Sequence, residues 1–141
     1  MAAVPDPARQ AFHILHAGFV VAPVLAGLDK FFNLLVDWER YLAPVATDIL
    51  PFDARTLMLA VGVVEIAAGV LVALRPRIGG YVVAAWLWAI IVNLLVAGGF
   101  YDIALRDFGL SLGALALARL AEAFPAQAGT AAAADPRGRA A

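Results

Sequence analysis

Residues 56–74 read TLMLAVGVVEIAAGVLVAL, an apolar run with one ionisable side chain, Glu65, near its middle and Gly62 and Gly69 on either side. A hydrocarbon core of ~30 Å needs ~20 helical residues at ~1.5 Å rise, so this run is long enough to cross a bilayer as a helix. In lipid, small residues mark where another helix comes close, and Gly62, Glu65, Gly69 and Ala73 fall on one helical face. The carboxyl is therefore expected to point at neighbouring helices. It lies about ten residues, or ~15 Å, into the helix, near the midplane. An ionised carboxylate there costs roughly 2.5–3.5 kcal/mol on insertion scales, so it must be protonated, paired or reached by water. Two readings stand: a ligand, proton or quinone-related role, or a structural bond to Trp88 or a backbone group.

Three further stretches of similar length flank it, residues 12–36, 78–98 and 103–121. Together they predict an all-α, integral membrane four-helix bundle over residues 1–124, antiparallel in sequence order. The Arg75-Pro76-Arg77 turn and the Gly98-Gly99 turn are too short for anything else. The composition agrees: 64% of the 141 residues are hydrophobic and 15% charged, against about 25% charged in soluble domains, and the mean hydropathy is +0.88. Residues 125–141, rich in Ala, Gly and Arg, have little to bury and are expected to form a mobile tail. The first stretch is too long for the apolar region of a signal peptide and no clear cleavage site follows it, so it is read as a retained first span.

The connection from 37 to 55 is long. Trp38, Tyr41, Leu42, Val45 and Ile49 recur at helical spacing there, while Pro44 and Pro51 limit regular helix. A short segment in the outer headgroup layer, held by Trp38 and Tyr41, is one expectation; an ordinary polar loop is the other. With four crossings, Arg9, Arg75, Arg77, Arg119, Arg137 and Arg139 share one side and most of the acids the other. The positive-inside rule then places both termini in the cytoplasm of a cell whose inner membrane holds the protein.

The polar positions define the expected ligand site. Gly18, Ala22 and Ala26 on the first helix run toward Asp29 and Asn33, with Lys30 beside them. Trp86, Ile90 and Asn93 share a face of the third, with Trp88 at about the depth of Glu65. Asp102, Arg106, Gly109, Gly113 and Ala116 share a face of the fourth, in which Gly109 and Gly113 form a GxxxG pair. Glu65 and Asn93 would line the inner end of a pocket, with Lys30, Asp29, Asp102 and Arg106 at its mouth. Plainer readings compete: a local Asp102–Arg106 salt bridge, a neutralising Asp29–Lys30 pair with Lys30 snorkelling outward, and Asn33 and Asn93 as interhelical hydrogen-bond partners.

Other chemistry is limited. The chain has no cysteine, which removes disulfides, thiol redox chemistry and cysteine-held metals. His13 and His16 are one turn apart and cannot take opposite faces of a haem, so a role near the headgroups is expected. The carboxylates are too scattered for a ferritin-like di-metal site, so no metal or haem is expected. No Ser/His/Asp set or phosphate-binding loop is present, and no catalytic residue is assigned. The net charge of −1 offers no footprint for nucleic acid.

With GLDKFF at 27–32, GVVEIAAG at 62–69 and YDIALRDFG at 101–109, the chain resembles the DoxX-like family of small four-helix bacterial membrane proteins over about residues 12–121. The resemblance implies an accessory subunit of a quinone-linked membrane oxidoreductase, with any redox centre brought by a ligand or partner. A quinone or other small amphipathic molecule is the ligand it suggests, and other membrane subunits or further copies of the chain are the partners. A purely structural or assembly protein, and a small oligomeric transporter or channel, are the alternatives.

Overall fold

The computed structural model describes residues 6–124, and the tail expected at 125–141 lies outside them. The described residues form five α-helices and one 3-10 turn: α1 (Pro7–Asp29), the turn Trp38–Tyr41, α2 (Pro44–Ile49), α3 (Ala54–Leu74), α4 (Pro76–Ala97) and α5 (Tyr101–Ala123). Local chemistry sets these boundaries. The Asp6 carboxylate accepts from the Ala8 amide at the start of α1 (3.0 Å), and the Asp53 carboxylate from the Thr56 amide at the start of α3 (2.8 Å), each satisfying a donor the helix leaves free. Pro7, Pro44 and Pro76 open three of the helices, where a missing N–H costs nothing. Gly98 and Gly99, at φ +75° and +84°, make the α4–α5 turn in a region of backbone space that glycine enters freely.

The first helix differs from its expected bounds. It starts at Pro7 and stops at Asp29 instead of running from 12 to 36. Asn33, expected on that helix, lies in the turn beyond it at φ +51°, a left-handed conformation that Asn tolerates better than most residues.

The four long helices form a square in which α1 packs on α3, α3 on α4, α4 on α5, and α5 more sparsely on α1. Glycines set the close approaches. A Cβ on Gly27 would stand 2.5 Å from the Gly62 carbonyl oxygen, one on Gly79 2.5 Å from the Val72 Cα, and one on Gly80 2.9 Å from the Ala114 carbonyl oxygen. The expected Gly109–Gly113 contact is absent: Gly109 meets nothing within 4 Å, and Gly113 faces the Phe19 ring. Below the middle of the bundle, Phe12, Val72, Val83, Ala114 and Leu117 form a close-packed core. Phe12 and the Arg9 guanidinium both lie against Phe124, so α1 begins where α5 ends.

α1 and α3 are out of step. From the Gly27–Gly62 contact α3 continues eight residues toward its start and α1 only two toward its end, leaving α1 about 9 Å short. The chain from Lys30 to Ala43 fills that recess. Irregular backbone that is partly buried needs its polar groups met, and here three side chains meet them. Asp29 accepts from the amides of Leu34 and Leu35 and from Trp38 Nε1. Arg55 donates to the carbonyls of Lys30 and Phe31. Asn93 accepts from the Ala43 amide and donates to the Tyr41 carbonyl.

Three helices, α1, α3 and α4, are long and apolar enough to cross a membrane. α5 matches them in length but carries Asp102, Arg106, Asp107, Arg119 and Glu122.

Candidate ligand cavity and its buried ion pair

A cavity of about 720 Å³ lies between the four helices beneath the Lys30–Ala43 segment, within the range of ~300–1,000 Å³ typical of small-molecule sites. Its walls are mainly apolar, from Phe19 and Ala26 on α1, Met58 and Ala68 on α3, and Leu87 and Ile90 on α4. Pro23 also lines it and, lacking an N–H, leaves the Phe19 carbonyl without its usual helical donor. Trp38, Tyr41 and Leu42 close the top. The headgroup-layer segment expected at 37–55 is therefore a folded-in plug over its first half, with Val45 and Ile49 exposed beyond it. Gly18 and Ala22 on α1 and Arg106 and Leu110 on α5 line the cavity while remaining exposed, so the opening is lateral, between α1 and α5. The stripe of small residues on α1 is thus a cavity wall, not a helix contact.

One charged feature of the wall is a buried ion pair. Lys30 Nζ lies 2.5 Å from Glu65 Oε2, with the two side chains 4% and 10% exposed. The ammonium also lies 3.8 Å from the centroid of the Trp38 ring and 3.5 Å from the Ala26 carbonyl. Lysine reaches inward because α1 has already ended: its stem runs down the recess to a carboxylate on the facing helix. Outward snorkelling and an Asp29–Lys30 pair are both overturned, as is a bond from Glu65 to Trp88. Burial of two opposite charges at this distance is tolerable because each neutralises the other and the remaining ammonium protons face a carbonyl and an aromatic face.

Of the other expected site residues, Asn93 lines the cavity, yet its amide is used in holding Tyr41 and Ala43. Asp29 is buried but turned to the loop amides, away from the cavity. Asn33 is not among the residues that line the cavity, and its Oδ1 is buried without a partner among the described residues. Trp88 faces outward, 47% exposed and edge-on to Phe108, because its neighbour Trp86 occupies the inner face half a turn away. Asp102 is exposed in the first turn of α5, where the helix dipole favours an acid. Arg106 reaches the rim, but its ionic partner is Asp107 (3.7 Å) rather than Asp102.

The error on α5 is one of rotation. Its inner face carries Ala104, Asp107, Ser111, Ala114 and Ala118, one residue, or ~100°, from the face expected through Asp102, Arg106 and Gly109. Asp107 was left out of the expected site through this rotation, and Trp86, read on the face of Ile90 and Asn93, lines the cavity in place of the expected Trp88. The small residues Ala104, Ser111, Ala114 and Ala118 in register with Asp107 were the available signal. His16, expected near the headgroups, is half-buried and its Nε2 donates to the Val72 carbonyl (2.8 Å), tying α1 to the end of α3; His13 is exposed. Among the described residues no group of three or more His, Asp or Glu is placed to hold a metal ion.

No family model, curated protein or solved structure matches the chain. The ligand reading therefore rests on the site itself, and a redox partner is an expectation from the sequence resemblance alone.

Proposed function

We propose that this chain is a four-helix integral membrane protein that binds a small amphipathic molecule of quinone type in its lateral cavity and serves as an accessory subunit of a membrane oxidoreductase. The observation that carries the reading is an apolar cavity of ligand size, open sideways, with a buried Lys30–Glu65 pair in its wall. The exposed faces of α3 and α4 carry Val63, Val64, Val70, Ile78, Val82, Val92 and Leu95, an apolar surface that suits lipid and not water. α5 completes the bundle as a fourth span by turning Asp107 inward and keeping Asp102, Arg119 and Glu122 near its ends. The end that holds Arg9, Arg75, Arg77 and Arg119 faces the cytoplasm in this reading, in accord with the positive-inside rule. The family resemblance supplies the oxidoreductase partner, and Lys30 and Glu65 supply a pair able to exchange a proton with a ligand while the partner moves the electrons.

Glu65→Gln tests this in a preparation that keeps its fold and partners. A quinone-binding affinity lowered about tenfold or more and a reduced partner turnover are expected, since a charged hydrogen-bond partner is lost beside the ligand. Unchanged binding with unchanged turnover overturns the proposal. A second reading, an assembly protein without a ligand, draws on the use of Asp29, Arg55 and Asn93 to hold one loop. Native mass spectrometry separates the two: a ligand-free chain in stable complex with other subunits favours assembly.

A further inference from the structure

Lys30 and Glu65 already have each other as partners. Two other polar groups in the same cavity are differently placed. Trp86 lines it, and its indole Nε1 is buried with no partner among the described residues; such donors are rare in folded proteins and call for an explanation. Asp107 lines it too, 6% exposed. Its ionic partner Arg106 stands at 3.7 Å, beyond hydrogen-bond distance.

Helix register brings the two together. Gly79 sits against Val72, and Trp88 against Phe108. Counting from these contacts puts Trp86 level with Glu65, and Asp107 on the adjacent helix about 4.5 Å nearer the plug. A free donor and an under-used acceptor thus belong to two residues that line one cavity, within about a helical turn of each other along the bundle axis. A ketone or ether oxygen would meet only the first. A hydroxyl carries both functions the wall calls for, an acceptor for Trp86 Nε1 and a donor for the Asp107 carboxylate.

We infer that the cavity selects a ligand with a hydroxyl-bearing head, of phenol or quinol type, seated between Trp86 and Asp107. This rests on the ligand cavity proposed above and specifies its occupant. The test uses the full chain in lipid nanodiscs and two tritiated probes, 4-decylphenol and its methyl ether, which differ in one donated proton. The phenol is expected to bind about tenfold more tightly than the ether, the effect of one hydrogen bond. Asp107→Leu should abolish that preference, and Trp86→Phe should weaken both probes about tenfold. Equal affinity of the two probes for the unaltered protein overturns the inference, whatever the variants do. Wild-type binding by a Trp86→Phe protein with an unchanged melting curve overturns it as well. If neither probe binds, the ligand cavity itself is refuted and this inference falls with it.

Discussion

Lys30 and Glu65 lie far enough from water that the pair behaves as a unit. Lys30→Met alone leaves a buried carboxylate without its counter-charge, and breaking such a pair costs about 3–5 kcal/mol. The double variant Lys30→Met, Glu65→Leu removes both charges and should recover most of that loss, since apolar replacements of buried pairs are often neutral or stabilising. Reversible unfolding in mixed micelles measures both. The glycines give a second contrast. Gly27→Ala forces a Cβ into the Gly62 carbonyl and should destabilise by about 1–3 kcal/mol. Gly109→Ala meets open space and should be neutral or stabilising by up to about 1 kcal/mol, the helix propensity gained. The sequence singles out Gly109 as a packing residue through its GxxxG spacing, but spacing says nothing of rotation about the helix axis.

At the level of the elements, the caps respond to pH. The Thr56 hydroxyl and amide hold the Asp53 carboxyl below its ordinary value of 3.8, so ionised Asp53 stabilises the start of α3. That contribution is complete above about pH 4 and is lost as pH falls through the lowered folded value. The melting difference between the wild type and Asp53→Ala should therefore be constant at neutral pH and shrink below pH 4. The number of long helices and most of their boundaries were legible because apolar length and turn chemistry are local. The end of α1 was not, since residues 30–36 are as apolar as the span before them. What stops the helix is tertiary: the Asp29 carboxylate accepting the Leu34 and Leu35 amides, and Arg55 from α3 capping the carbonyls. The inner face of α3 was legible from Gly62, Glu65 and Gly69. That of α5 was not, because small residues fall on more than one of its faces.

For the whole molecule, the cysteine-free sequence makes topology directly measurable. With four crossings, Asp48→Cys should react with an impermeant maleimide in intact cells, and Gln10→Cys only after permeabilisation. Reversed labelling would invert the proposed orientation, and labelling of both from outside would mean that α1, the one long helix between them, does not cross. The antiparallel order α3, α4, α5 follows from two short connections and was readable in advance, whereas the packing of α1 on α3 across a long connection was not. A pocket involving Lys30, Glu65, Asn93 and Arg106 was expected; its plugged top and lateral opening were not legible, because they arise from the axial offset of α1 against α3, which no single segment encodes. The same offset hides the chain's one lysine: Lys30 is 3% exposed beneath Trp38. Amine-directed acylating reagents and crosslinkers consequently find no lysine on the folded surface and gain one only as the plug lifts, so the acylation rate of this side chain is an intrinsic gauge of opening.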